Sequence, residues 1–300
     1  MAEIDPVAAL EKAQNLVDLP GARDYFHDKP PNNLEEVLHV VQRLAAANVP
    51  SCLVGVGALR YYGAARASNE WDVCVPDDKL ESARCLFDAS AVQEGHQTSG
   101  DVKSSNGTNL EADNESAALD PKRIYEVAKP PPSIDGSLRH TYPCFHLQGF
   151  SFYFVLVPSS GSLIDPSSPE GIELTKKGVP YPKITPMARS LIIQGQWSDL
   201  CDLIDGVNLD VDWGLENFNF DELLAESVEL AHKRNEVLAR LGHQGRMHVQ
   251  DLERRWRLEA SDEAKEKRID EIKKGRYVTK WRPKKSPQDD PVKRYNRDKI

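Results

Sequence analysis

No stretch of this 300-residue chain is apolar for long enough to cross a bilayer as a helix, so no membrane-spanning segment is expected. Cysteine is sparse. The five residues, at 52, 74, 85, 144 and 201, are odd in number and show neither Cys-x-x-Cys spacing nor a disulfide framework. The opening residues, MAEIDPVAALEKAQ, carry acids early and lack the basic-then-apolar pattern of a secretory leader. Together these absences predict a cytoplasmic or nuclear protein, in which the sequons at Asn106-Gly107-Thr108 and Asn114-Glu115-Ser116 are fortuitous. There is also no Gly-x-Ser-x-Gly elbow, no G-x-x-x-x-G-K-[ST] phosphate loop and no His-Glu-x-x-His metal motif.

What is present is unevenly charged. The net charge is −9, but residues 243–300 hold 18 Lys and Arg against 11 Asp and Glu, or +7, which leaves −16 for residues 1–242. An acidic body binds nucleic acid poorly, so any such contact falls to the basic tail; the plainer reading of that tail is a solvated end.

The stretch richest in chemistry is Cys52–Pro76, CLVGVGALRYYGAARASNEWDVCVP. Cys52–Gly55 is a short apolar run bounded by Pro50 and by glycine, as in a buried strand. Gly55 and Gly57 follow, then a short helix-forming run that Gly63 stops. Glu70 and Asp72 stand at i and i+2 on the next strand, so their carboxylates share a face and repel unless a cation lies between them. Trp71 and Cys74 are expected in the core. The plain reading makes the glycines turn formers and the acids an exposed strand face.

These residues resemble the nucleotidyltransferase superfamily of the DNA polymerase beta type, closest to its degenerate members common in filamentous fungi. There a Gly-Gly or Gly-Ser turn cradles nucleotide phosphates and a [DE]-h-[DE] pair holds divalent metal. The resemblance implies nucleotide contacts at Gly55, Gly57, Arg60, Arg66 and Ser68, with Mg2+ on Glu70 and Asp72. It also implies a third carboxylate from a later strand, and Phe145–Val157 offers none. Asp135 and Asp165 are the nearest acids, and His146 is a further candidate for that position. After Val179 the resemblance continues in part: Arg189 stands for a basic helix residue, and Asp199, Asp202 and Asp205 stand on an acidic helix whose exposed face is an equally good home for them.

The expected fold is an α/β (α+β) domain, a nucleotidyltransferase-like mixed sheet flanked by helices, followed by a helical region and a basic C-terminal tail. Residues 1–31 form an N-terminal extension with a short helix near Val7–Val17. Residues 32–183 form the α/β domain, with strands Cys52–Gly55, Trp71–Val75 and Phe150–Val157 in one sheet and a disordered insertion at 94–120. Residues 184–242 are helical, the last helix amphipathic through Leu223, Leu224, Val228, Ala231, Val237, Leu238 and Leu241. Residues 243–300 are a charged helix, which loses its apolar stripe after Trp256 and is solvated beyond it, and the basic tail. Two functional classes follow. One is a catalytically degenerate module that binds a nucleoside triphosphate or a partner protein. The other is an active Mg2+-dependent enzyme moving a nucleoside monophosphate onto a small molecule, protein or RNA hydroxyl.

Overall fold

Leu34, Val37, Val40, Val41 and Leu44 recur at helical spacing, and all five are buried along α1 (Asn33–Ala46). Asn48, in the left-handed region, ends that helix and turns the chain toward the first strand. The computed structural model describes residues 33–64, 70–88, 124–128, 138–148, 152–242 and 246–274. The helix expected near Val7–Val17, the insertion at 94–120, the tail from 275, and Arg66, Ser68 and Asp135 lie outside them.

Beyond α1 come β1 (Cys52–Val54), α2 (Gly55–Tyr61), β2 (Glu70–Val75) and α3 (Leu80–Phe87). Three more strands follow: β3 (Tyr125–Ala128), β4 (Cys144–Leu147) and β5 (Tyr153–Pro158). The five strands form one mixed sheet in the order β1-β2-β5-β4-β3. β2 and β5 run parallel, and every other pairing is antiparallel. As the sequence pattern implied, β1, β2 and β5 share a sheet, and the strand that is apolar on both faces, β5, lies at its centre. The edge strand β3 was not foreseen, because four residues with two exposed positions carry too little alternation to stand out.

Alternation divides the sheet into two faces. One carries Leu53, Trp71, Val73, Phe154 and Leu156 against α1, α2 and α3, with Phe87, Tyr125, Phe145 and Phe154 in mutual ring contact. The other carries Cys52, Val54, Cys74, Cys144, Val155 and Val157, packed beneath Ile164. Trp71 and Cys74 are both core residues, as expected.

After a short α4 (Ser159–Ser162) and the hairpin β6 (Ile172–Leu174) and β7 (Pro180–Pro182), the chain is helical: α5 (Ile184–Ile193), α6 (Trp197–Val207), α7 (Val211–Asn217), α8 (Phe220–Arg240), α9 (Leu252–Glu259) and α10 (Asp262–Lys273). Two expectations are corrected here. On α8, Leu224, Val228 and Leu241 are exposed, and the inward face runs through Phe220, Leu223, Ser227, Ala231 and Leu238. Ser227 tolerates that position because its hydroxyl donates to the Ile193 carbonyl at 2.9 Å.

Residues 247–274 are not one solvated helix. Asp251 and Ser261 each accept a backbone N–H three residues ahead, capping two separate helices. Leu252, Trp256 and Ala260 enter the core, and the Trp256 indole donates to the Val211 carbonyl at 3.1 Å. The apolar stripe read as far as Trp256 is thus buried, and Ala260 extends it. Among the described residues no helix is long and apolar enough to cross a membrane.

Candidate functional site

Glu70 and Asp72 leave β2 on the thiol-bearing face, and a guanidinium stands between them. Arg139, on the 3₁₀ turn Leu138–Thr141, donates to Asp72 Oδ1 through Nε at 2.8 Å and through Nη2 at 2.6 Å. Its Nη1 lies 2.9 Å from Glu70 Oε2. Burial opposes the charge on Arg139, but the Asp72 and Glu70 carboxylates outweigh it and raise the guanidinium above its ordinary range. The two like charges on β2 are therefore compensated from within the chain.

Gly55 abuts the same carboxylate. It has φ +59°, and a Cβ there would stand 2.5 Å from Asp72 Oδ2, so both its conformation and its surroundings call for glycine. Gly57 lies under the Trp71 ring, which a Cβ would approach to 3.0 Å. Its role is to let α2 pack closely on β2. Arg60 follows Gly57 to the opposite face, where its guanidinium sits 5.9 Å from the centre of the Trp71 ring and burial lowers its pKa. Of the two basic residues that the sequence offered to the acidic pair, Arg60 is thus on the other face and Arg66 lies outside the described residues; the cation that meets the pair is Arg139.

Strand register shows what else can reach Asp72. Val54 lies opposite it on β1 and Val155 on β5, with Cys144 next beyond Val155 on β4. The central-strand position beside Asp72, where a third same-face carboxylate would come from, is a fully buried valine. Cys144 is no substitute, since burial and then the Glu70 charge push its thiol up to about 11. His146 falls in the Glu70 row with Tyr153 between, its Nδ1 4.0 Å from Glu126 Oε2. Asp165 is exposed and accepts the Ser167 N–H at 2.9 Å in its own loop.

Asp72, Arg139 and Gly55 open onto a cavity of about 100 Å³, closed on the far side by Gly161, Ser162, Ser190, Gln194 and Arg234. The Gln194 amide donates to Ser190 Oγ at 2.9 Å and to the Ser162 carbonyl at 3.1 Å, which aims its oxygen at Arg234 Nη2, 2.6 Å away. Tyr142 lines the cavity against Gly161, where any side chain would collide with its phenol. Burial raises the Tyr142 pKa although Arg234 opposes the rise.

The acids and base expected from the helical region are elsewhere. Arg189 pairs with Glu226 on α8, and Asp205 holds Arg268 of α10 at 2.7 Å. Asp199 and Asp202 do not line the cavity. Sequence reasoning missed Arg139 and Arg234. Arg234 left a readable signal, a charge spaced i+3 from Ala231 and i−4 from Leu238 on the inward stripe of α8. Arg139 left none, being one of seven Lys and Arg between β2 and β5 in sequence.

The arrangement does not suit a divalent ion as it stands. One oxygen of each carboxylate, Asp72 Oδ1 and Glu70 Oε2, faces the Arg139 guanidinium where an ion would stand. No protein-family model matches the chain, and no curated protein matches its sequence.

Proposed function

We propose that this chain is a nucleotidyltransferase-fold module that has kept the architecture of the site without its chemistry, and that its cleft serves recognition. The observation that carries this reading is the register of β5. Asp72 faces Val155, so among the described strand residues the position beside it offers no carboxylate to take the proton of an attacking hydroxyl. The neighbouring thiol, Cys144, is protonated at neutral pH and cannot replace it. The cavity supports a binding role of limited size. At about 100 Å³ it admits a phosphate-sized group, well short of the roughly 300–1,000 Å³ of sites that enclose a whole small molecule. A nucleoside triphosphate would therefore enter by one end or after the cleft opens, and a partner protein would present a single polar group to it.

The active-enzyme reading rests on one specific observation, the contact between a positive-φ glycine and Asp72, which keeps backbone where phosphates would lie. In that reading Mg2+ on Glu70 and Asp72 would clamp the phosphates. Incubation with each nucleoside triphosphate, Mg2+ or Mn2+ and a mixture of acceptor hydroxyls separates the two. The expected result is no pyrophosphate release above the Asp72→Asn background. Release that depends on Asp72 would overturn the silent-site reading.

A further inference from the structure

We infer that Arg139 is the resident cation of the Glu70–Asp72 pair, a built-in replacement for a divalent ion that keeps metal from the pair while the guanidinium is in place. Three features of the site lead there. The fork of Arg139 spans both carboxylates at 2.6–2.9 Å, which occupies the space between them. A guanidinium does not lose its charge at any ordinary pH, so a divalent ion arriving beside it meets a permanent like charge. And Arg139 lines the cavity beside Asp72, with Leu138 of the same turn, so a cation of the chain already adjoins the pair there.

The far wall does not offer a second cation to the pair: the Arg234 guanidinium is engaged with Gln194 on α5, and the glycine at 161 leaves room for the Tyr142 ring. This rests on the silent-site reading for the identity of the pair but is refuted separately from it.

The test is Mn2+ binding, followed by equilibrium dialysis and by the loss of free-ion paramagnetic resonance signal. Four proteins are compared: wild type, Arg139→Gln, Arg139→Lys, and Arg139→Gln combined with Asp72→Asn. Wild type is expected to bind no stoichiometric Mn2+ at the pair. The Gln variant should bind one ion per chain at least about tenfold more tightly than wild type, because the opposing charge is gone. The added Asp72→Asn change should abolish that site.

The Lys variant keeps the charge that supports folding but reaches one carboxylate at a time, and should show a smaller gain of about threefold. It serves as the readout if the Gln variant does not fold. An Asp72-dependent Mn2+ site in wild type overturns the replacement role of Arg139, as does a lack of gain in the folded variants. Pyrophosphate release by wild type would sink the silent-site reading whichever way these titrations fall.

Discussion

The two faces of the central sheet are built from different materials. The helix-covered face sets Trp71, Phe145 and Phe154 among branched aliphatics, with Phe87 and Tyr125 edge-on to Phe154 at 4.9 and 5.6 Å. The other face uses three thiols and three valines, then breaks its apolar surface with Glu70, Asp72 and Arg139. Large rings fill volume and leave no cleft; small side chains under a loop leave a cavity beside the charges. Stability does not explain the second arrangement. A partly buried ion triad contributes little net stability, and apolar residues of similar volume would serve as well or better. One face holds the fold together and the other holds a site.

Neighbouring residues on β5 test this division most directly, because Phe154 and Val155 point to opposite faces. Phe154→Ala should cost about 3–5 kcal/mol in urea unfolding, through lost ring contacts and a cavity the helices cannot close. Val155→Ala should cost about 1–2 kcal/mol, since it removes less apolar surface and leaves a smaller hole. Equal losses would break the comparison.

The charged trio sharpens it. Arg139→Ala strands two like charges that are about four-fifths and three-quarters covered, and should cost about 1–3 kcal/mol. Arg139→Met combined with Glu70→Gln and Asp72→Asn should recover most of that loss, because the cost lies in uncompensated charge and not in missing bonds. If the triple variant is no more stable than Arg139→Ala, the turn is held by packing and the electrostatic account fails. Next in size comes Gly55→Ala, at about 1–2 kcal/mol from its positive φ and its collision with Asp72. Gly57→Ala should be milder. Its backbone is helical, and a small shift of the Trp71 ring makes room.

Much of the stable face was readable from sequence, because burial writes itself into spacing. The α1 stripe, the Cys52 and Trp71 runs and the doubly apolar β5 all declared their places. The site was half readable. Glu70 and Asp72 share a face by strand geometry, and Gly55 was marked by its place at a strand end. The partner of the pair was not readable, since a cation meeting it across 67 residues of separation leaves no local pattern. Arg60 was drawn to the wrong face for a related reason: helix spacing places a residue on a helix but does not say which side of the next strand the helix covers.

The smallest expected effect lies where the two faces meet, at the carboxyl ends of the parallel strands. Asp77 follows β2, and its carboxylate accepts from Ser159 Oγ at 2.5 Å, Ser160 N–H at 3.0 Å and Ser160 Oγ at 2.5 Å, just past β5. Burial alone would raise its pKa, but these three bonds outweigh burial and hold it below the ordinary carboxylate value. A depressed folded-state pKa means that the native state binds the proton less readily than the unfolded chain. Asp77 therefore contributes stability that is complete above about pH 5 and is lost as pH falls through its folded-state value. Because the side chain is largely solvent-exposed, screening limits that contribution to a few tenths of a kcal/mol. Urea midpoints of wild type and Asp77→Asn, measured from neutral pH downward, should differ slightly and constantly near pH 7 and converge in acid. A difference that persists unchanged into strong acid would show that the amide disturbs packing at the strand ends and that the carboxylate charge contributes nothing there.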